Sequence, residues 1–511
     1  MNNVLEYLEA SAKRYPDKIA VRDMEQACTY RELLADAKRI GAQLAGITKP
    51  GNPIAVLADK SVDTLKVFMG IVYAGCFYTL VDPSFPEDRI CTILNVLKPD
   101  AVIVTGNAAV RLEACDYSGN VLEMQKLLVN KGIEQPDEIL MDIRSSMTDT
   151  MPLYCNFTSG STGTPKGVLV AHRSVIEFID CFTEMFHITE EDVIGNQAPF
   201  DFDVSVKDIY SALKTGATLV IIPKSYFMFP NSVVDMLEEA NVTTLIWAVS
   251  ALCLLNRLHA FKYKIPKSIN KVLFSGEAMP IRQLNDWRKV YPDAMFVNLY
   301  GPTEITCNCT YYVLDRAFTE EEKLPIGHAF PNERVCLLGE DGSMIPRTCA
   351  NQAGELCVLG TTLALGYYRN PEMTAKAFVQ NPWNDAYPEL MYKTGDLASY
   401  GEDGMLYFAG RKDFQIKHMG HRIELEEIEH VLSAVPCVEQ ACCFYDEEKN
   451  KVVACYIGTD DKKYIMQEMR TKVLDYMVPN VFCRVEELPM NKNGKTDKKA
   501  MKALYKEGGL R

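Results

Sequence analysis

The chain lacks an apolar stretch long enough to cross a bilayer. Its longest, residues 245–255, is interrupted by Ser250 and falls short of the roughly 20 residues a spanning helix needs. A secretory leader is also missing, because the first 23 residues mix charges throughout and contain no apolar core. There is no excess of positive charge. With 54 basic and 68 acidic side chains the formal net charge is -14. That balance argues against general binding to nucleic acid or anionic membranes, though a local basic channel remains compatible with it. Cysteine is plentiful at 17 residues, but the number is odd and no CxxC pair occurs, so the pattern offers no zinc site. The expectation is reduced thiols in a cytoplasmic protein. Cys307 and Cys309, and Cys442 and Cys443, read as strand or core residues. His418 and His421 read as a surface HxxH pair.

The 511 residues are too many for one compact core, and two or more lobes are expected. A content of 48% hydrophobic and 24% charged residues is ordinary for a soluble globular protein. Neither an internal repeat nor a low-complexity tract is present.

The densest chemical signal is Thr-Ser-Gly-Ser-Thr-Gly-Thr-Pro-Lys-Gly at 158–167. Glycines let a backbone turn sharply and approach a ligand closely. Free N–H groups and hydroxyls in such a loop form an anion-binding concavity, and Lys166 adds a cation. The loop reads as a polyphosphate cradle, suited to the β- and γ-phosphates of ATP, or else as a mobile surface loop. It is not a Walker loop, which needs Gly before the lysine and Ser or Thr after it; here Pro165 precedes Lys166 and Gly167 follows.

Taken in order, the chain alternates strands and helices. Thr29-Tyr30-Arg31-Glu32 is a capping box, and the helix after it puts Leu33, Ala37, Ile40 and Leu44 on one face. Strand 53–58, helix 62–74, strand 78–81, helix 87–97 and strand 101–105 follow, which implies a helix-covered parallel sheet. Residues 107–150 read as a polar connection between two sheets. A second helix–strand series runs through 172–186, 196–222, 233–258 and 271–299. Ligands of open α/β sheets sit beyond the carboxyl ends of strands, which puts Ser275-Gly276-Glu277 and the turn Tyr300-Gly301-Pro302-Thr303-Glu304 side by side as candidate ligand loops. From about residue 324 to 408 short strands with frequent Gly and Pro suggest a β-rich subdomain. A polar segment at 410–420 precedes an amphipathic helix and a last α+β region of about a hundred residues. The fold class expected is α/β: a large N-terminal domain of helix-covered sheets plus a β-rich subdomain, with a small mobile α+β C-terminal domain. Domain boundaries are read as 1–411, a hinge at 412–413, and 414–511.

Several residues carry possible chemistry. Tyr300 is either a purine-stacking ring or a core tyrosine. Glu304 is a candidate Mg²⁺ ligand, since that ion takes one or two carboxylates plus phosphate oxygens. Asp396, in Thr394-Gly395-Asp396, is a ribose-binding acid or a simple turn residue. Lys495, in Asn493-Gly494-Lys495, is a catalytic cation or a solvated hairpin tip.

The joint occurrence of the glycine loop, Tyr-Gly-Pro-Thr-Glu at 300–304, Thr-Gly-Asp at 394–396, Gly-Arg-Lys-Asp at 410–413 and Asn-Gly-Lys at 493–495, in this order, resembles the adenylate-forming superfamily. That superfamily contains acyl-CoA synthetases, luciferases and peptide-synthetase adenylation domains. Within it, Asn196-Gln197-Ala198-Pro199-Phe200 with Phe202-Asp203-Val204-Ser205 is most similar to stand-alone D-alanine–D-alanyl carrier protein ligases, which serve lipoteichoic acid D-alanylation. The resemblance implies Mg²⁺ and ATP as cofactor and co-substrate, an aminoacyl-AMP intermediate, and thioester transfer to the phosphopantetheine of a carrier protein. The carrier is expected to be a separate protein, because no carrier sequence follows Lys495.

The residue roles implied follow the same resemblance. Thr158, Ser159, Gly160, Ser161, Thr162, Gly163 and Lys166 hold phosphates. Gly276, Glu277, Asn298, Leu299, Tyr300, Gly301, Thr303, Asp396 and Arg411 surround the nucleotide, with Lys495 catalytic. Asp203, Val204, Lys207, Leu273, Ser275, Leu299, Cys307 and Asn308 form the amino-acid pocket, in which Asp203 grips the α-ammonium. Asp413 is the hinge and Glu304 the Mg²⁺ ligand. Two positions depart from the D-alanine pattern. Ser275 replaces a cysteine, and Lys207 is foreign to a pocket made for a methyl group: it either points outward to pair with Asp208 or meets an acidic or polar substrate. Other readings are a stand-alone adenylation enzyme for another amino acid, an acyl-CoA synthetase, which Asp203 disfavours, and a catalytically silent nucleotide-binding protein.

Overall fold

Thr29 opens the helix Tyr30–Ala45 with the expected reciprocal cap: its hydroxyl accepts from the Glu32 N–H and its own N–H donates to the Glu32 carboxylate. Leu33, Ala37, Ile40 and Leu44 are all fully buried, so the apolar stripe is what docks this helix on the core. This computed structural model describes residues 1–130, 136–160, 164–459, 461–490 and 496–508.

Among the described residues the large domain holds three sheets. One has the order Gly366–Tyr367, Lys166–Ala171, Pro152–Thr158, Phe77–Val81, Pro53–Leu57, Ala101–Val104, Asn120–Glu123; its central strands are parallel, and Pro152–Thr158 pairs antiparallel with Lys166–Ala171. A second sheet runs His328–Ala329, Thr310–Val313, Met295–Tyr300, Lys271–Ser275, Thr244–Ala248, Val193–Asn196, Thr218–Ile221, Ile19–Arg22, Ala27–Thr29. The strands Phe77–Val81, Pro53–Leu57 and Thr244–Ala248 are buried at every position, as parallel strands covered on both faces must be. The third sheet, built on Ala353–Gly360 and Leu390–Tyr400, is antiparallel and forms the β-rich subdomain. The small domain comprises the hairpin Gln415–His418/His421–Glu424, the helix Leu425–Ser433 and the strands Val438–Asp446, Lys451–Gly458 and Val481–Arg484.

Three expectations change. The segment read as a polar connection carries its own structure: Asn120–Glu123 is the parallel edge strand of the first sheet, and Pro136–Ser146 is a helix with only Leu140 fully buried. Its weak hydrophobic pattern follows from lying on the rim. Cys91, in the helix Glu87–Leu97, and Cys115, just after the helix Val110–Glu113, form a disulfide 24 residues apart, so the thiols are not all free. His418 and His421 are not a surface pair: His418 is buried, and His421 stacks on Tyr476 with centroids 3.8 Å apart. Among the described residues no helix is long and apolar enough to cross a membrane, and no cluster of three His, Cys, Asp or Glu side chains could hold a metal.

Candidate active site

The glycine loop joins two antiparallel strands, with Thr158 opposite Lys166. A Cβ on Gly160 would lie 2.0 Å from the carbonyl oxygen of Thr164, so only glycine fits this bend. Ser161, Thr162 and Gly163 lie outside the described residues, as does Lys495. The Thr158 hydroxyl is buried without a partner, and Ser159 Oγ donates to the carbonyl of Arg422 at 3.2 Å.

Lys166 leaves this loop toward Glu304. Its Nζ is 3.5 Å from Glu304 Oε1 and 5.0 Å from the centroid of the Tyr367 ring. Glu304 is fully buried; Tyr367 donates to its Oε1 at 2.8 Å and Arg422 Nη1 to its Oε2 at 2.7 Å. Burial alone would raise the carboxyl pKa, but Arg422 and Lys166 outweigh it and hold the group well below the usual carboxylate range. As a lone buried carboxylate beside an anion cradle, Glu304 fits Mg²⁺ whose remaining ligands are phosphate oxygens and water. Here Arg422 occupies the Oε2 side.

The strand Met295–Tyr300 delivers Tyr300 to the second cluster. The Tyr300 hydroxyl donates to Asp396, Arg411 bonds the other oxygen of Asp396, and the same guanidinium grips Asp413 through Nη2 at 2.7 Å. Lys417 sits 5.2 Å from the Tyr300 centroid, and burial lowers its pKa. Across the cleft the N–H of Gly420 donates to Glu277 Oε1 at 2.8 Å, and a Cβ on Gly276 would come within 3.8 Å of the Gly420 carbonyl. Asn298 Nδ2 donates to the Pro325 carbonyl at 2.7 Å. The small domain thus reaches the site through the hairpin containing Lys417, Gly420 and Arg422.

The third cluster is a set of buried side chains around Asp203. Asp203 precedes the helix Val204–Thr215 and is 6% exposed; burial raises its carboxyl pKa, opposed by the Lys207 ammonium and Thr303. After the Tyr300–Glu304 turn the backbone takes positive φ at two successive non-glycine residues, Thr306 (55°) and Cys307 (75°), a strained conformation of the kind that concentrates at functional sites. It is held by Thr306 Oγ1 donating to the Thr362 carbonyl at 2.7 Å and by Cys307 Sγ donating to the Asp203 carbonyl at 3.1 Å. Leu273, Val204 and Leu299 are buried with them. Lys207 does not point outward. It is fully buried and donates to Ser275 Oγ at 3.2 Å and Asn308 Oδ1 at 2.7 Å, while Asp208 instead accepts from Asn196 Nδ2 at 2.6 Å.

The described candidate residues therefore gather in adjoining clusters: an anion cradle, a ring with an acid and a guanidinium, and a buried group of side chains around an acid. Four groups were not singled out from the sequence, namely Tyr367, Lys417, Gly420 and Arg422. The charge of Arg422 directly after the Gly420-His421 turn was the only signal of its role.

Two family models match this geometry's sequence: AMP-binding enzyme over residues 8–368 and AMP-binding enzyme C-terminal domain over 427–495. The chain belongs to the AMP-binding enzyme family. This is the adenylate-forming superfamily that the ordered motifs resemble, and the α/β architecture with its large and small domains is that of adenylation-domain structures. AMP-binding enzymes related to it include bacitracin synthase 1 of Bacillus licheniformis, 33% identical over 97% of this chain but 9% of the relative, and tyrocidine synthase 3 of Brevibacillus parabrevis, 32% identical over 97% of this chain and 7% of the relative. The chain thus spans less than a tenth of these two relatives. The D-alanine–D-alanyl carrier protein ligase of Bacillus licheniformis is 31% identical over 98% of this chain and 99% of the relative. In fold this chain is similar to the Vibrio cholerae adenylation domain AlmE, solved with glycyl-adenosine-5'-phosphate, at TM-score 0.82 and 22% identity over 99% of this chain and 98% of that one.

Proposed function

We propose that this AMP-binding enzyme is an ATP-dependent amino-acid ligase that acts in two halves. In the first, the carboxylate oxygen of an α-amino acid attacks the α-phosphorus of ATP, forming aminoacyl-AMP while pyrophosphate leaves. In the second, a phosphopantetheine thiol of a carrier protein attacks the acyl carbon, forming a thioester and releasing AMP. The observation that carries this reading is the buried carboxylate of Asp203 close to the Lys166–Glu304 charge centre. A buried acid there suits an α-ammonium and disfavours a fatty acid.

In this reading the cradle with Thr158, Ser159 and Lys166 holds the departing pyrophosphate, and Glu304 holds Mg²⁺ once Arg422 withdraws. The ion neutralises phosphate charge when bound. Tyr300, Gly276 and Asn298 frame the adenine, with Asp396 and Arg411 at the ribose. Lys495 neutralises the α-phosphate and the incoming carboxylate, a step in which charge stabilisation and positioning carry the catalysis. The small domain turns about Asp413 between the halves, as hinge residues between lobes do. The present arrangement, with Arg422 and Gly420 docked in the cleft, suits the transfer half.

For the substrate, the reading supported by the relatives that this chain covers over nearly their whole length is D-alanine. The test is exchange of labelled pyrophosphate into ATP. The unaltered chain should catalyse it with at least one amino acid. Lys495→Ala should abolish it while leaving thioester transfer from preformed aminoacyl-AMP. Undiminished exchange in that variant would overturn the role given to Lys495.

A further inference from the structure

Residues 360–367 run from the end of the strand Ala353–Gly360 to the short strand Gly366–Tyr367 and clasp the turn that carries Glu304. Three groups make the clasp. The Thr362 carbonyl accepts from Thr306 Oγ1 at 2.7 Å, the Ala364 N–H donates to the Glu304 carbonyl at 2.9 Å, and the Tyr367 hydroxyl donates to Glu304 Oε1 at 2.8 Å. The segment therefore sets both the backbone and the carboxylate of Glu304. It also holds Thr306 at a positive φ of 55°, a conformation that a non-glycine residue keeps only where its surroundings impose it.

The clasp is anchored in turn by one side chain. Glu333 is the first residue of the strand Glu333–Leu338 and lies opposite Gly360 in the antiparallel register. Its Oε1 accepts from the Thr362 hydroxyl, and its Oε2 is buried without a hydrogen-bond partner. Thr362, Thr306 and Glu304 are fully buried. A path of side chains thus leads from Glu333 through Thr362 and Thr306 to the Glu304 turn, although Glu333 itself bonds none of the candidate ligand groups. Burying a polar oxygen with no partner is costly, so stability alone does not favour an acid at this place. Burial raises its carboxyl pKa to about 8, and the Thr362 hydroxyl opposes this only in part. The titratable side chains facing it are the thiols of Cys307 and Cys309, both held protonated by their own burial.

We propose that Glu333 is a positioning residue for the first half-reaction: through Thr362 it fixes the bend at Thr306 and, with it, the carboxylate of Glu304. The proposal rests on the amino-acid ligase reading above.

The experiment takes two readouts on the full chain, amino-acid-dependent pyrophosphate exchange and amide hydrogen exchange across residues 303–309. Glu333→Leu offers Thr362 no acceptor. It is expected to lower kcat/KM of pyrophosphate exchange by about 100-fold and to speed hydrogen exchange of those amides. Glu333→Gln keeps a side-chain carbonyl oxygen for Thr362 and is expected to restore both. Thr362→Val cuts the same link from the other side and serves should melting show that the leucine variant does not fold. The unaltered chain is expected to lose activity as pH rises through about 8, where Glu333 ionises, and Glu333→Gln, which cannot ionise, is expected to keep its activity there. Unchanged kcat/KM on cutting the link, unmoved amides at 303–309, or a glutamine variant as impaired as the leucine one overturns the proposal and leaves the ligase reading intact. The same alkaline loss in the glutamine variant does so too. Pyrophosphate exchange with no amino acid in the unaltered chain overturns the ligase reading, and the role given to Glu333 with it.

Discussion

Glu304 shows how one side chain carries several constraints. Its carboxylate is ionised in the fold because Arg422 and Lys166 outweigh its burial, while an unfolded Glu titrates near 4.3. A folded pKa depressed below the unfolded one contributes stability that is fully present above that value and fades as pH falls toward the folded one. Glu304→Gln should therefore lower the melting temperature at pH 7, and the gap to the unaltered protein should narrow below about pH 4; a gap independent of pH would refute the ionised assignment. Gly301 offers a steric counterpart. A Cβ there would lie 2.5 Å from Asn308 Cα and 2.8 Å from the Cys307 carbonyl. Gly301→Ala should cost about 1–3 kcal/mol of unfolding free energy, read by denaturant melts, and no loss would mean the turn yields freely. Lys166, Glu304 and Gly301 were legible because they sit in contiguous motifs. Tyr367 and Arg422 were not, since they approach Glu304 from 63 and 118 residues away.

At the scale of elements, the hairpin Gln415–His418/His421–Glu424 is the part of the small domain that enters the site. Its polar composition reads as a solvated linker, yet Lys417 and Arg422 fold inward because Tyr300 and Glu304 receive them. The helix after it, Leu425–Ser433, was legible from its apolar spacing, with Leu425, Ile428 and Leu432 buried. Its Glu427 was not. Arg89 donates to Glu427 at 3.0 Å with both side chains less than a tenth exposed, a buried bridge between the domains. Arg89→Met would leave Glu427 buried and unpaired, at a cost of about 3–5 kcal/mol to the docked arrangement. Transfer to the carrier thiol should then slow while pyrophosphate exchange persists. Adding Glu427→Leu should restore most of the docking, because an apolar pair can replace a buried ion pair. Equal loss of both half-reactions in the single variant would argue against a bridge specific to this arrangement.

For the whole molecule, the Gly420 amide reports domain orientation through its 2.8 Å bond to Glu277. Saturating ATP, Mg²⁺ and a cognate amino acid should speed amide hydrogen exchange across residues 415–424 as the hairpin leaves the cleft. Unchanged protection during active turnover would exclude the proposed rotation. The sequence by itself determined the alternation of strands and helices, the change to short strands near residue 324, and the family, because these are written in local periodicity and in contiguous motifs. Tertiary structure decided which charges meet: Arg422 with Glu304, Arg89 with Glu427, and Lys207 enclosed with Ser275 and Asn308 rather than paired with Asp208. Those outcomes depend on burial and on distances between elements far apart along the chain. Local spacing does not encode them, so in sequence Lys207 leaves open an outward pairing with Asp208, while in the fold it is buried against Ser275 and Asn308.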